Sequence, residues 1–157
     1  MKHTDLMLND LVMYQGEILR VGCISDYDIK IDLFEDGEDT PYAEIWQEEL
    51  DEVKPIPLTD EILEKNGFAI EERDGDITFP YLAFIIKNDE YSVEITWYDS
   101  HDVYEPNTGK YLHSAPEVWN MEILGKCGNY DCGKNKIFVH ELQHALRLCG
   151  IDKEIVL

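Results

Sequence analysis

Residues 82–97 carry the pattern that most constrains the fold. Val93, Ile95 and Trp97 alternate with Glu94 and Thr96, while Leu82 to Ile86 form a continuous apolar run. A period of two sends successive side chains to opposite faces of a strand, and a short apolar run fits a strand buried on both faces. Asn88-Asp89 lies between the two runs and supplies turn residues. The stretch therefore predicts an antiparallel hairpin. "EVWNMEIL" resumes the alternation, with Trp119, Met121 and Ile123 against Asn120 and Glu122, and should join the same sheet. "FAIEER" reads as a further strand followed by a "DGD" turn, "SHDVYEPNTGKYLHSAP" as a loop, and "GKCGNYDCGKN" as a turn-rich connector.

Upstream, "LVMYQGEILRVGCISDYDIKIDLF" reads as three short strands. Leu19, Val21 and Cys23 alternate with Arg20 and Gly22, and Ile29, Ile31 and Leu33 with Lys30 and Asp32. "AEIWQEELDEV" fits either a short helix or a strand with a helical turn. In "KPIPLT", Pro55 and Pro57 lack backbone donors and push their predecessors to extended geometry, which marks a boundary. Thr59 is then placed to cap a two-turn helix that ends at Asn66-Gly67. The last helix is expected from about Lys136 to Cys149, with Asn135 as its cap and Gly150 past its end.

The fold class that follows is α+β. A small β-rich unit over 1–57, best matched by an SH3-like barrel, precedes an antiparallel-sheet unit over 58–157 with the C-terminal helix packed on it. Phe138, Leu142, Leu146 and Cys149 share the apolar stripe of that helix, and His140, His144 and Arg147 project to the opposite, solvent side.

Charge narrows the partners. The chain has 34 acidic and 13 basic residues, a net charge of −21, with 44% hydrophobic residues for a core. Such a field repels nucleic-acid backbones and anionic membranes and attracts basic proteins. The surplus is greatest from Glu35 to Glu52, where nine acids occur with no base. Glu48, Glu49, Asp51 and Glu52 are the expected docking surface, although solubility alone also accounts for acidity of this kind. "MKHTDLMLND" has no apolar signal region and no apolar run suits a bilayer, so a cytoplasmic setting is expected, with Cys23, Cys127, Cys132 and Cys149 reduced.

One stretch names a reaction. In "VHELQHALRLCG", His140, Glu141 and His144 spell His-Glu-x-x-His, which puts two imidazoles on one helix face with an adjacent general base, as a zinc hydrolase requires. A third ligand is wanting downstream, where the extended metalloprotease pattern meets Arg147 and Gly150, and upstream it would have to be His101, Asp102 or His113. A structural zinc site could instead use Cys127, Cys132, His140 and His144, with a cysteine-to-histidine gap shorter than that of a zinc finger. The expectation is no cofactor, no metal and no catalytic residue: two surface histidines on a packing helix.

"PIPLTDEILEKNGF" (55–68) together with "VHELQHALRLCGIDKEI" (139–155) resembles a family of small phage- and prophage-associated proteins of gut bacteria. The resemblance spans nearly the whole chain and implies no activity. The family helix often has a non-histidine at the position of His144, which implies that the histidine pair is particular to this chain. The expected function is that of an accessory protein acting through protein contacts.

Overall fold

The structure, a computed structural model, describes residues 5–25, 30–74, 80–98, 100–105, 107–115, 117–125, 128–131 and 136–157. It is α+β, built mostly from two antiparallel sheets, and its last helix is near the C-terminus. Two compact units emerge: residues 1–57 with 138–144, and residues 58–137 with 145–157.

In the first unit, β1 (Leu11–Tyr14), β2 (Glu17–Ser25), β3 (Lys30–Phe34) and β4 (Ala43–Trp46) form an antiparallel meander. A 3-10 helix, Gln47–Glu52, leads to β5 (Lys54–Pro55), which returns to pair with β1. Gln15 and Gly16 both have positive φ (51° and 90°) between the paired Tyr14 and Glu17, the two-residue turn that matches strand twist. Val12, Leu19, Val21, Ile31, Leu33 and Ile45 line up on one face with Leu6, Leu50 and Val53 to make the core.

Two details depart from the strand pattern read in the sequence. The register slips between Val21 and Cys23, so a bulge shifts the parity of β2 by one residue. Ile24 consequently packs against the core and Cys23 is exposed. Among the described residues the strands also close no barrel, because β4 and β5 stand at the two ends of the order β4-β3-β2-β1-β5. β5 is only two residues long, consistent with Pro55 and Pro57 having no N–H to extend a ladder.

The second unit opens with α1 (Asp60–Lys65). The Thr59 side chain accepts from Ile62 N at 3.4 Å, and Gly67 (φ 69°) ends the helix as the sequence required. The main sheet runs β12-β11-β8-β7-β6, from β6 (Ala69–Asp74), β7 (Pro80–Lys87), β8 (Tyr91–Tyr98), β11 (Val118–Gly125) and β12 (Gly128–Asp131). At the β7–β8 turn, Asn88 Oδ1 accepts from the backbone N–H groups of Glu90 (2.9 Å) and Tyr91 (2.8 Å).

The stretch read as a loop is a hairpin, β9 (His101–Tyr104) with β10 (Tyr111–Ala115). Its Tyr104, Tyr111 and Leu112 are exposed, so no buried face imposed an alternation that the sequence could display. β12 likewise falls in the expected connector, where it pairs with Glu122–Gly125. The "DGD" turn beyond Asp74 lies outside the described residues.

The last helix, α2, spans Val139–Leu148, three residues shorter at its start than expected. Phe138 makes an antiparallel bridge with Pro57 and Val139 N donates to Ile56 O (2.9 Å), which holds the backbone extended up to that point. Asn135, the expected cap, lies outside the described residues; Glu141 Oε2 instead accepts from Phe138 N at 3.0 Å. Val139–His144 go with the first unit and Ala145–Leu148 with the second, so the helix is not assigned to the second unit alone. Among the described residues no helix is long and apolar enough to cross a membrane.

Candidate functional site

The histidines of α2 are not on the surface. His140 is 6% exposed and His144 is half-buried, contrary to the helical-wheel expectation. From Val139 to Cys149, only Arg147 and Leu148 are exposed, so burial extends well beyond the single apolar stripe. The polar residues tolerate this because the first unit supplies partners. His144 Nε2 lies 2.7 Å from Oδ2 of Asp10, a carboxylate with no exposed surface that also accepts from Met7 N (2.7 Å). Gln143 accepts from Leu11 N (3.0 Å) through Oε1 and donates to Asn9 O (3.1 Å) through Nε2.

The His140 ring stacks on Phe138 (5.9 Å between centroids) and meets His144 edge-on (5.8 Å). Its Nδ1 is buried and has no hydrogen-bond partner among the described residues. Burial holds the His140 pKa below the ordinary histidine value, and His144 adds to the shift, while Glu141, Asp10 and Asp5 oppose it. The His140 ring is a packing group beside the pair formed by His144 and the buried Asp10 carboxylate. Glu141, the general base of the hydrolase reading, is turned back toward the helix N-terminus by its bond to Phe138 N.

Cys127 and Cys132 lie outside the described residues. Asp102 accepts from Ser114 Oγ (2.6 Å) across the β9–β10 hairpin, where His113 is exposed, and His101 begins β9. Among the described residues no group of three or more His, Cys, Asp and Glu side chains is arranged to hold a metal ion.

The acidic stretch is displayed rather than folded in. All nine acids from Glu35 to Glu52 are exposed, including Glu48, Glu49, Asp51 and Glu52 on the 3-10 helix. Ile45 and Leu50 face inward and anchor the stretch. Tyr42 and Trp46 are 45% and 43% exposed amid the acids, along the terminal strand β4. Lys30 of β3 reaches this edge, 3.5 Å from Glu44 and 5.9 Å from the centre of the Trp46 ring. It shows locally what an incoming cation would meet: carboxylates beside an aromatic face.

A third arrangement went unread in the sequence. Glu94 and Thr96, the polar residues of the β8 alternation, are 8% and 5% exposed. Glu94 Oε1 accepts from Arg73 Nη1 at 2.6 Å, and Arg73 also bonds Glu71. These bonds, with Tyr81 and Glu94, hold the guanidinium charge more firmly than an unpaired arginine would be held. Across the ladder, Asn120 pairs in register with Thr96, and Glu122 with Glu94. Alternation exposed this face but could not tell that its middle is buried.

Comparison with family models, with curated proteins and with solved structures found no match.

Proposed function

We propose that this chain is a cytoplasmic accessory protein of phage or prophage type that works by docking a basic protein, not by catalysis. The observation that carries the reading is the display of nine exposed acids from Glu35 to Glu52, interrupted by exposed Tyr42 and Trp46, on the terminal strand β4 and the segments on either side of it. Carboxylates attract a basic partner over distance and orient it, while aromatic rings give contact area and cation–π attraction once it arrives. The scaffold fits the task under an SH3-like reading of the first unit. A four-strand meander, a 3-10 turn and a short fifth strand returning to β1 is the chain path of such a module, and that path supports the assignment.

The zinc readings are not adopted, on positive geometry: Asp10 engages His144 Nε2 and the Glu141 carboxylate caps its own helix. The docking reading is tested by titrating a lysine- and arginine-rich peptide into the protein and into a variant with Glu48, Glu49, Asp51 and Glu52 reversed to lysine. Exposed ion pairs are worth about 0.2–1 kcal/mol each, so losing four should weaken binding by at least about fourfold at low salt. The association rate of the variant should also be less sensitive to salt. Equal affinity for both proteins would sink the docking surface.

A further inference from the structure

We propose that the polar face of the main sheet in the second unit binds a primary ammonium group at Thr96, Asn120 and Glu122. Thr96 and Asn120 are direct cross-strand neighbours, and Thr96 is 5% exposed. Thr96 Oγ1 and Asn120 Oδ1 are both buried, and among the described residues neither has a hydrogen-bond partner. Two such oxygens side by side are unusual, because a buried polar atom that loses water without gaining a partner destabilises the fold.

The chemistry of the missing partner follows from what each atom has left. Asn120 Nδ2 donates to Glu122 Oε1 at 3.1 Å, so Oδ1 remains and can only accept. The bound group must therefore be a donor. Charge selects among donors. Arg73 is committed to Glu71 and Glu94, whereas Glu122, directly across the ladder from Glu94, is bonded by the neutral amide of Asn120. Two carboxylates in register disfavour each other, and a cation seated beside Glu122 relieves that repulsion. An ammonium has three N–H donors for three acceptors: Asn120 Oδ1, Thr96 Oγ1 and the Glu122 carboxylate. The next position of β8 on the same face is Tyr98, stacked on Tyr81 at 4.9 Å, which provides an aromatic flank for the cation and its methylene stem.

The inference rests on the second unit alone and is independent of the acidic docking edge. Its test is a titration of the isotope-labelled full chain, read by backbone and side-chain amide shifts. Two probes separate the sources of the ammonium: spermidine, and a peptide whose one charged side chain is lysine. Saturable shifts at Thr96, Tyr98, Asn120 and Glu122 are expected, and the probe that gives them identifies a free polyamine, a protein lysine or both. Thr96→Val and Glu122→Gln, each close in shape to the original, should weaken that binding about tenfold, the loss of one hydrogen bond to a charged group. Reversal of Glu48, Glu49, Asp51 and Glu52 should leave it unchanged. The proposal fails if both substitutions bind as the parent does, if the shifts are led by residues 35–52, or if magnesium produces the same saturation. It fails equally if no saturable shift occurs, since a buried water would then be the partner of both oxygens.

Discussion

Gln143 offers the most direct test of how the first unit holds the N-terminal half of α2. Its amide is buried and makes two bonds to the chain that leads into β1, accepting from Leu11 N (3.0 Å) and donating to Asn9 O (3.1 Å). Asn9 is held in the left-handed region (φ 66°), where its N–H donates to Val21 O (2.7 Å) and its Oδ1 accepts from Arg20 (3.0 Å). Gln143→Met keeps the length of the side chain and removes both polar atoms. The backbone groups of Leu11 and Asn9 would then lose partners in a half-buried setting, at about 1–3 kcal/mol each. The expected loss is about 2–6 kcal/mol, a large part of a typical total of about 5–15 kcal/mol. Urea unfolding should show a lower midpoint at unchanged slope, and native-state hydrogen exchange should show the Leu11 amide deprotected. Gln143→Glu separates bond loss from packing, because it keeps an acceptor for Leu11 N but places a carboxylate oxygen against Asn9 O. It should restore Leu11 protection without restoring full stability. The reasoning is refuted if Gln143→Met costs less than about 0.5 kcal/mol while Leu11 stays protected.

His140 gives a pH dependence. A base whose folded pKa lies below its ordinary value of 6.5 binds fewer protons when folded. Its contribution is whole above that value and is lost as pH falls below it toward the depressed folded pKa. The urea midpoint should therefore drop between about pH 7.5 and about pH 5.5, and His140→Gln should flatten that drop; equal slopes would dismiss the assignment. At Gly22 an added Cβ would lie 2.3 Å from ring atoms of Phe34, so Gly22→Ala should cost about 1–3 kcal/mol by overpacking. The double change Gly22→Ala with Phe34→Leu should recover part of it, and failure to recover would show that the ring is not the obstacle.

What the sequence disclosed and what it hid divide along a physical line. Features decided by neighbours along the chain were legible: the Thr59 cap and Gly67 terminus of α1, the Gln15-Gly16 turn and the β7–β8 hairpin. Features that need a second strand to exist were not. The β2 bulge is a mismatch in pairing with β3, and nothing in "LRVGCIS" alone states that Ile24 replaces Cys23 against the core. The β9–β10 hairpin is exposed, so it lacks the burial that turns a strand into an alternating pattern.

The misread of α2 has the same origin and bears on its His-Glu-x-x-His spelling. A helical wheel assumes one buried stripe and one wet face, so it assigns His140 and His144 to water along with Arg147. That assumption fails when polar partners come from far along the chain. His144 is paired with Asp10 across 134 positions, and Gln143 with Leu11 across 132. Each letter of the motif then has a structural occupation. Glu141 caps the helix start, His144 pairs with the buried Asp10 carboxylate, and His140 stacks on Phe138. Catalysis would ask these groups for different geometry: a glutamate aimed at bound water, and two imidazole nitrogens converging on one ion with a third ligand. To reach it, Asp10 would have to release His144 Nε2 or join it on a metal, and Glu141 would have to leave Phe138 N. The spelling is thus accounted for by capping, pairing and packing, each with a named partner in the first unit.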